Sequence, residues 1–199
     1  MKIFITHYTP LTHRKNNIIK LLEKSNITDY EFIETYDREL LNKTDIENFS
    51  QIKISEISLF LKHIEIFKKE IDDVVVILED DAILVDNFKD KLENYLNISK
   101  SIEWDIIFSG ECCDLHASGI NAEQVFYNSN GSRGTCMYIL NVGVCKKIHN
   151  IINMEKQIIK PIDHWFNDMQ KIYNLKYYWS EPTLVFQGSE TGIFKSAIR

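Results

Sequence analysis

The 199-residue sequence has no run of about 18 uncharged apolar residues, which a bilayer-spanning helix requires. Its opening, MKIFITHYTPLTHRK, also lacks the apolar stretch of a secretory signal. Both absences lead to the expectation of a soluble, cytoplasmic protein with no membrane-spanning segment. Basic residues are nowhere massed: 23 Lys and Arg are dispersed among 29 Asp and Glu, giving a formal charge of −6. A phosphate-backbone binder needs a basic face, so nucleic acid is not an expected partner. CxxC spacing is missing too, since Cys112 and Cys113 are adjacent while Cys136 and Cys145 stand apart. That pattern favours buried, reduced thiols over disulfides or a zinc site. There is no internal repeat and no low-complexity linker, and 44% apolar residues suffice for one core, so a single domain over 1–199 is expected.

What the sequence has in plenty is Ile, Lys and Asn, the bias of an A/T-rich bacterial or viral genome. Triplets such as Asn26-Ile27-Thr28 and Asn130-Gly131-Ser132 arise by chance in that composition and are weak signs of secretion.

Lys2 to Tyr8 alternates and is β-branched, which predicts a first strand. Pro10 breaks it and Thr12 can cap a helix reaching about Ser25. Tyr30 to Thr35 reads as a second short strand, with Tyr36 and Asp37 at its carboxyl end; Leu40 to Gln51 is polar and ambiguous. Ile57, Phe60, Leu61, Ile64 and Phe67 recur on one face of a helix over Ser55 to Ile71, with Glu56 three places after Lys53. Val74 to Leu78 is apolar without a break, as in a strand buried on both faces of a parallel or mixed sheet.

Further on, Phe88 to Leu96 predicts a helix, Trp104 to Phe108 a buried strand, and Glu111 to Gly131 loop with irregular strand. Thr135 to Leu140 reads as a strand, Val142 to Ile152 and Pro161 to Tyr173 as helices, and Lys176 to Trp179 and Thr183 to Phe186 as the last strands of the sheet. Strands and helices interleave, so the expected class is α/β: a single-domain, Rossmann-like mixed sheet flanked by helices.

The stretch VVVILEDDAIL runs an apolar strand straight into Glu79, Asp80 and Asp81 and then turns apolar again. Burying adjacent carboxylates without a counter-charge is very unfavourable, so they either end an exposed strand and feed a turn or face a cation. In open α/β sheets ligands bind outside the carboxyl ends of strands. Alternation points Glu79 and Asp81 the same way and Asp80 elsewhere, so the outer pair is a candidate site for Mg2+ or Mn2+. A nucleotide diphosphate is the natural third party, because such ions keep positions free for phosphate oxygens.

At this point the chain resembles glycosyltransferase family 25, the group of lipopolysaccharide-type sugar transferases and collagen galactosyltransferases. KIFITHYTPLTHRKNNI is similar to the family's opening strand and Arg-containing helix, and EFIETYDRE to its second strand. SEISLFLKHIEIFKK resembles its Gly-Glu-Ile-Gly-Cys-aromatic-Leu-Ser-His helix, and VVVILEDDAIL its acidic strand. Downstream, EWDIIFSG, GTCMYILNVGVCKKI, PIDHWF and EPTLVFQGSETGIFKSAI follow in the family's order. The helix departs from the family at Ser55, Ser58, Leu59 and Lys62, where Gly, Gly, Cys and Ser are often found, so donor preference is expected to differ.

The resemblance implies a GT-A-like fold and inverting, metal-dependent transfer of a hexose, galactose or glucose, from a UDP-sugar to a glycan or a hydroxylated peptide acceptor. It makes Glu79 and Asp81 the metal ligands, with Asp80 a further ligand or a partner of the donor ribose or sugar. Asp163 is either a helix cap or the catalytic base, and His164 its partner or another metal ligand. Donor binding is expected from Arg14 (phosphate), Tyr36 and Asp37 (uracil or ribose) and His63. A polar tail of Gln187, Ser189, Lys195, Ser196 and Arg199 is expected to order on the diphosphate or to fray. Trp165, Trp179 and Phe186 are expected in the core. A non-catalytic nucleotide-sugar-binding module and a metal-dependent phosphotransferase or nuclease are the alternatives.

Overall fold

A computed structural model describes residues 1–69 and 71–197; Arg199 lies outside the described residues. The chain opens with β1 (Lys2–Thr6), α1 (Thr12–Lys24) and β2 (Glu31–Ile33). The polar stretch that followed no clear period holds a short helix, α2 (Lys43–Ile46), because Asn42 accepts hydrogen bonds from the Thr44 and Asp45 backbone N–H groups. Next comes α3 (Ile54–Phe67), whose Glu56 carboxylate accepts the Lys53 N–H at 2.8 Å. The acidic stretch follows as β3 (Val75–Glu79) and β4 (Ala82–Leu84), with Asp80 and Asp81 forming the turn between them.

The second half contains α4 (Phe88–Ser99), β5 (Ile106–Phe108), β6 (Gly110–Glu111), β7 (Phe126–Asn128) and β8 (Met137–Leu140). It ends with α5 (Val144–Met154), α6 (Ile162–Tyr173), β9 (Tyr177–Ser180) and β10 (Val185–Gln187). Seven strands form one mixed sheet in the order β2-β1-β3-β8-β5-β9-β7. The expected α/β class, a mixed sheet flanked by helices, is what the chain adopts.

The last strand departs from expectation. Instead of extending the main sheet, β10 sits at the centre of a separate three-stranded sheet, β4-β10-β6. Residues 80 and 81 turn the chain out of the main sheet, so the apolar return at 82–84 pairs antiparallel with β10, Leu84 opposite Val185. Through β10 this small sheet brings Gln187 and the tail back to the acidic turn.

Period-two alternation in the central strands explains their unbroken apolar runs. Val75 and Ile77 face a core made with α3, α5 and α6, while Val76 and Leu78 face one made with α1 and α4. Each fully buried Ile, Leu or Phe contributes about 1.5–3 kcal/mol, so the two-faced sheet is the rigid base on which the loops at its strand ends are fixed. Trp165 is buried and Trp179 is packed against the core, as expected; Phe186 is instead 38% exposed. Among the described residues, no helix is long and apolar enough to cross a membrane.

Candidate active site

Strands β1, β2 and β3 are mutually parallel, so their carboxyl ends emerge on one side of the sheet. Thr6 stands opposite Glu79 in the register, which sets His7 and Tyr8 beside Asp80. Asp80 is the best-satisfied of the three acids. One of its oxygens accepts from His7 Nδ1 at 2.8 Å and from the Tyr8 N–H at 3.2 Å; the other accepts from Arg14 Nη1 at 2.9 Å. Burial alone would push its carboxyl up, but the His7 and Arg14 hydrogen bonds and the guanidinium charge hold it below the ordinary value. Asp80 is therefore a buried, ionised anchor whose partners are protein groups.

Glu79 and Asp81 are in the opposite condition. Burial, followed by the charge of Asp81, pushes Glu79 up to about 8, although Thr135 donates its hydroxyl to the carboxylate. Burial also raises Asp81, against hydrogen bonds from Ser189 and the charge of Arg14, whose Nη1 lies 3.6 Å away. Asp81 Oδ1 is buried with no hydrogen-bond partner. Two close, desolvated carboxylates with an orphaned oxygen fit a hard divalent cation, which satisfies the lone pairs and offsets the repulsion. Among the described residues, no third His, Cys, Asp or Glu joins them in a three-residue cluster. The donor set thus suits an ion that keeps most of its positions for water and phosphate oxygens.

Two adjoining lobes share a wall made by Leu59, Glu79, Gln187, Ser189 and Ser196. The first lies over the ends of β1 and β3 and is lined by Arg14, the acidic trio, Gln187, Ser189 and Ser196. On its far wall stand Ser55, Ser58, Leu59 and Lys62 of α3. The second lobe is lined further by Asp163 and His164 of α6 and by Cys112 and Cys113. Asp163 sits in the first turn of α6, part-buried, with its Oδ1 accepting the His164 N–H at 2.8 Å. It is not the cap, a position taken by Pro161, and its charge contributes to raising Glu79.

The tail folds back over the first lobe. Gly188 donates its N–H to the Asp81 carbonyl at 2.8 Å, an approach so close that a Cβ there would stand 2.7 Å from that oxygen. Arg14 donates to the Lys195 carbonyl and Arg38 to the Ala197 carbonyl, while the Lys195 side chain is exposed.

Two expected donor residues lie elsewhere. His63 is fully buried beside Phe67, with Nδ1 2.7 Å from the Tyr138 hydroxyl, and burial drops it to about 3, so it stays neutral inside the core. Tyr36, in a left-handed backbone conformation, packs against the core and lines a different pocket. Asp37 lies just behind the first lobe, where its carboxylate pairs with Lys62 Nζ at 2.9 Å and accepts from Thr9.

Residues that sequence reasoning passed over complete the site: His7, Tyr8 and Thr135 fix the acids, and Arg38 lines the first lobe. His7 follows the first strand directly, so the carboxyl-end rule that singled out the acids also points to it.

The class is thus an open, mixed α/β sheet flanked by helices, with a two-lobed cleft at the carboxyl ends of its parallel strands, where such folds generally bind ligands. The sequence profile of glycosyltransferase family 25 (LPS biosynthesis protein) matches residues 1–166, and the chain belongs to that family. The family implies a sugar donor and a glycan acceptor. No curated protein sequence matches at a significant level. Among solved structures, the chain is similar to A197 from STIV, with 16% identity and a TM-score of 0.45 over 92% of this chain and 82% of that one. It is also similar to S. aureus TarS 1-349 (10%, TM-score 0.45, covering 96% and 61%). A glycosyltransferase involved in glycosylation of the major capsid of PBCV-1 gives 11% and 0.42, covering 94% and 92%.

Proposed function

We propose that the protein is a metal-assisted, inverting glycosyltransferase of the GT-A type, moving galactose or glucose from a UDP-sugar to a hydroxyl of a glycan or hydroxylated peptide. The observation that carries this reading is the pair Glu79 and Asp81, raised, close and part-orphaned on the wall of the first lobe, with Glu79 also reaching the second. These two carboxylates would hold Mn2+ or Mg2+, which supplies charge stabilisation to a departing diphosphate. The first lobe takes the nucleotide diphosphate, with the tail residues Gln187, Ser189 and Ser196 at its wall; the second takes the acceptor.

Asp163, on the wall of the second lobe, receives the acceptor hydroxyl proton. The acceptor oxygen bonds to the anomeric carbon as the bond from that carbon to the UDP oxygen breaks, and the configuration inverts. Ser55, Ser58, Leu59 and Lys62, the positions where the helix departs from the family's residues, all face the first lobe, so donor choice is expected to follow them.

The test is calorimetric titration of UDP with Mn2+ and again with EDTA, followed by a UDP-release screen over donor sugars. Binding that requires the metal and disappears in Asp81→Ala supports the reading. Failure of UDP to bind under either condition overturns it. Asp163→Asn is expected to keep UDP binding and to lower kcat by roughly 10²–10⁴-fold, the usual worth of a general base. An unchanged kcat would remove Asp163 from that role.

A further inference from the structure

The sequence favours buried thiols, and two of the four cysteines meet that expectation: Cys136 and Cys145 are buried. Cys112 is half-buried and Cys113 exposed, and both stand on the wall of the second lobe. Adjacent side chains in an extended chain point to opposite sides. Here Cys113 and Asp114 take left-handed conformations, φ 55° and 53°, and the chain turns so that the two Sγ atoms meet at 3.3 Å. We propose that Cys112 and Cys113 form a redox-labile dithiol at the rim of the second lobe, closed to a disulfide between neighbouring residues by a low-molecular-weight disulfide of the glutathione class.

Three observations support this assignment. The sulfurs need to close by only roughly an ångström to reach bonding distance. The bond they form is strained, because Cα atoms joined by a trans peptide lie about 3.8 Å apart, below the usual range of about 4.4–6.8 Å for bridged cysteines. Strained and exposed disulfides are the easily reduced ones, so this bridge opens again under reducing conditions. Cys112 also rests on the backbone of Gly134: a Cβ there would stand 2.8 Å from Cys112 Cβ and 3.1 Å from its Sγ. Gly134 adjoins Thr135, which holds Glu79, so closure acts on the segment next to the acidic turn.

The chemistry balances as two exchanges. Cys113, the exposed thiol, loses its proton and attacks the small disulfide, forming a mixed disulfide and releasing one small thiol. Burial and the neighbouring sulfur raise Cys112, which suits it to the second step rather than the first. Its sulfur then attacks that of Cys113 and expels the second small thiol. Two cysteine thiols are oxidised, one small disulfide is reduced to two thiols, and the two protons leave on those products.

The full chain should be equilibrated in reduced and oxidised glutathione at stepped ratios, trapped with iodoacetamide, and its peptides weighed. The expected result is that the peptide carrying Cys112 and Cys113 loses two hydrogens, resists alkylation and is restored by dithiothreitol. Peptides carrying Cys136 and Cys145 stay reduced throughout. Cys112→Ser is expected to stop at a persistent glutathione adduct on Cys113. The proposal is overturned if the wild type stops at that adduct, links chains together, or stays fully alkylatable at the most oxidising ratio. Because the readout is sulfur chemistry alone, its outcome is independent of the sugar-transfer reading.

Discussion

Arg14→Met is expected to destabilise the protein by about 3–5 kcal/mol, the cost of stranding a buried charge by removing its partner. For a chain of this size that lowers Tm by on the order of 10 °C. Asp80 is 6% exposed and ionised, and without the guanidinium it keeps only His7 and one backbone N–H. The same substitution releases the Lys195 carbonyl and the contact with the Phe194 ring, 5.4 Å from the guanidinium, so the tail loses its anchor as well. Arg14→Met combined with Asp80→Asn is expected to recover much of the loss, because the amide needs no counter-charge. Urea unfolding of the single and double variants decides it. A single variant within about 1 kcal/mol of wild type, or a double variant no better than the single, would show that Arg14 does not hold Asp80 in the fold. The pH dependence has a definite sign. The Asp80 carboxyl is held below its ordinary value, so its contribution is present above that value and is lost as pH falls through the depressed one.

How far the sequence announced this arrangement can be judged residue by residue. The β3 run and the helix carrying Ile57, Phe60, Leu61, Ile64 and Phe67 were legible because burial on a regular element writes its period into the chain. The expectation that Glu79 and Asp81 share one side rested on strand alternation, whereas Asp80 and Asp81 belong to the turn after the strand. The small sheet was not legible. Strands of two or three residues such as β4, β6 and β10 carry too few positions to show a period, and what pairs them is the turn at 80–81. His63 shows a different limit. One residue from the cleft-lining Lys62 on the same helix, it faces inward to Tyr138, and only the rotation of α3 on the sheet decides which of the two meets a ligand. The polar tail was visible as a cluster of donors. Its attachment was not, because Arg14 and Arg38 grip backbone carbonyls that every residue possesses.

In the metal-free protein, stability is expected to fall as pH rises from about 5 to 8, opposite to the trend set by Asp80 in the acid range. Glu79, 9% exposed, is raised to about 8 from an ordinary 4.5, so the folded state binds that proton more tightly than the unfolded chain does. Its favourable contribution is complete below the unfolded value and is lost as pH climbs through the folded one. At about 1.4 kcal/mol per unit, the loss amounts to a few kcal/mol, and Asp81, also raised, adds to it in the same direction. On the proposed reading, a cation between the two carboxylates would do the work of the proton. Thermal unfolding with Mn2+ and UDP is therefore expected to show a flatter pH profile and its largest gain in Tm near pH 8, where the bare pair is most strained. Glu79→Gln is expected to flatten the metal-free profile as well, since an amide does not titrate, while forfeiting the gain from Mn2+ and UDP. A metal-free Tm that rises over this range, or a gain that survives in Glu79→Gln, would mean that these carboxylates are tolerated for some reason other than a cation. Asp80 and Asp81, neighbours in one turn, are shifted in opposite directions, so Arg14→Met and Glu79→Gln read out the structural anchor and the proposed cation site separately.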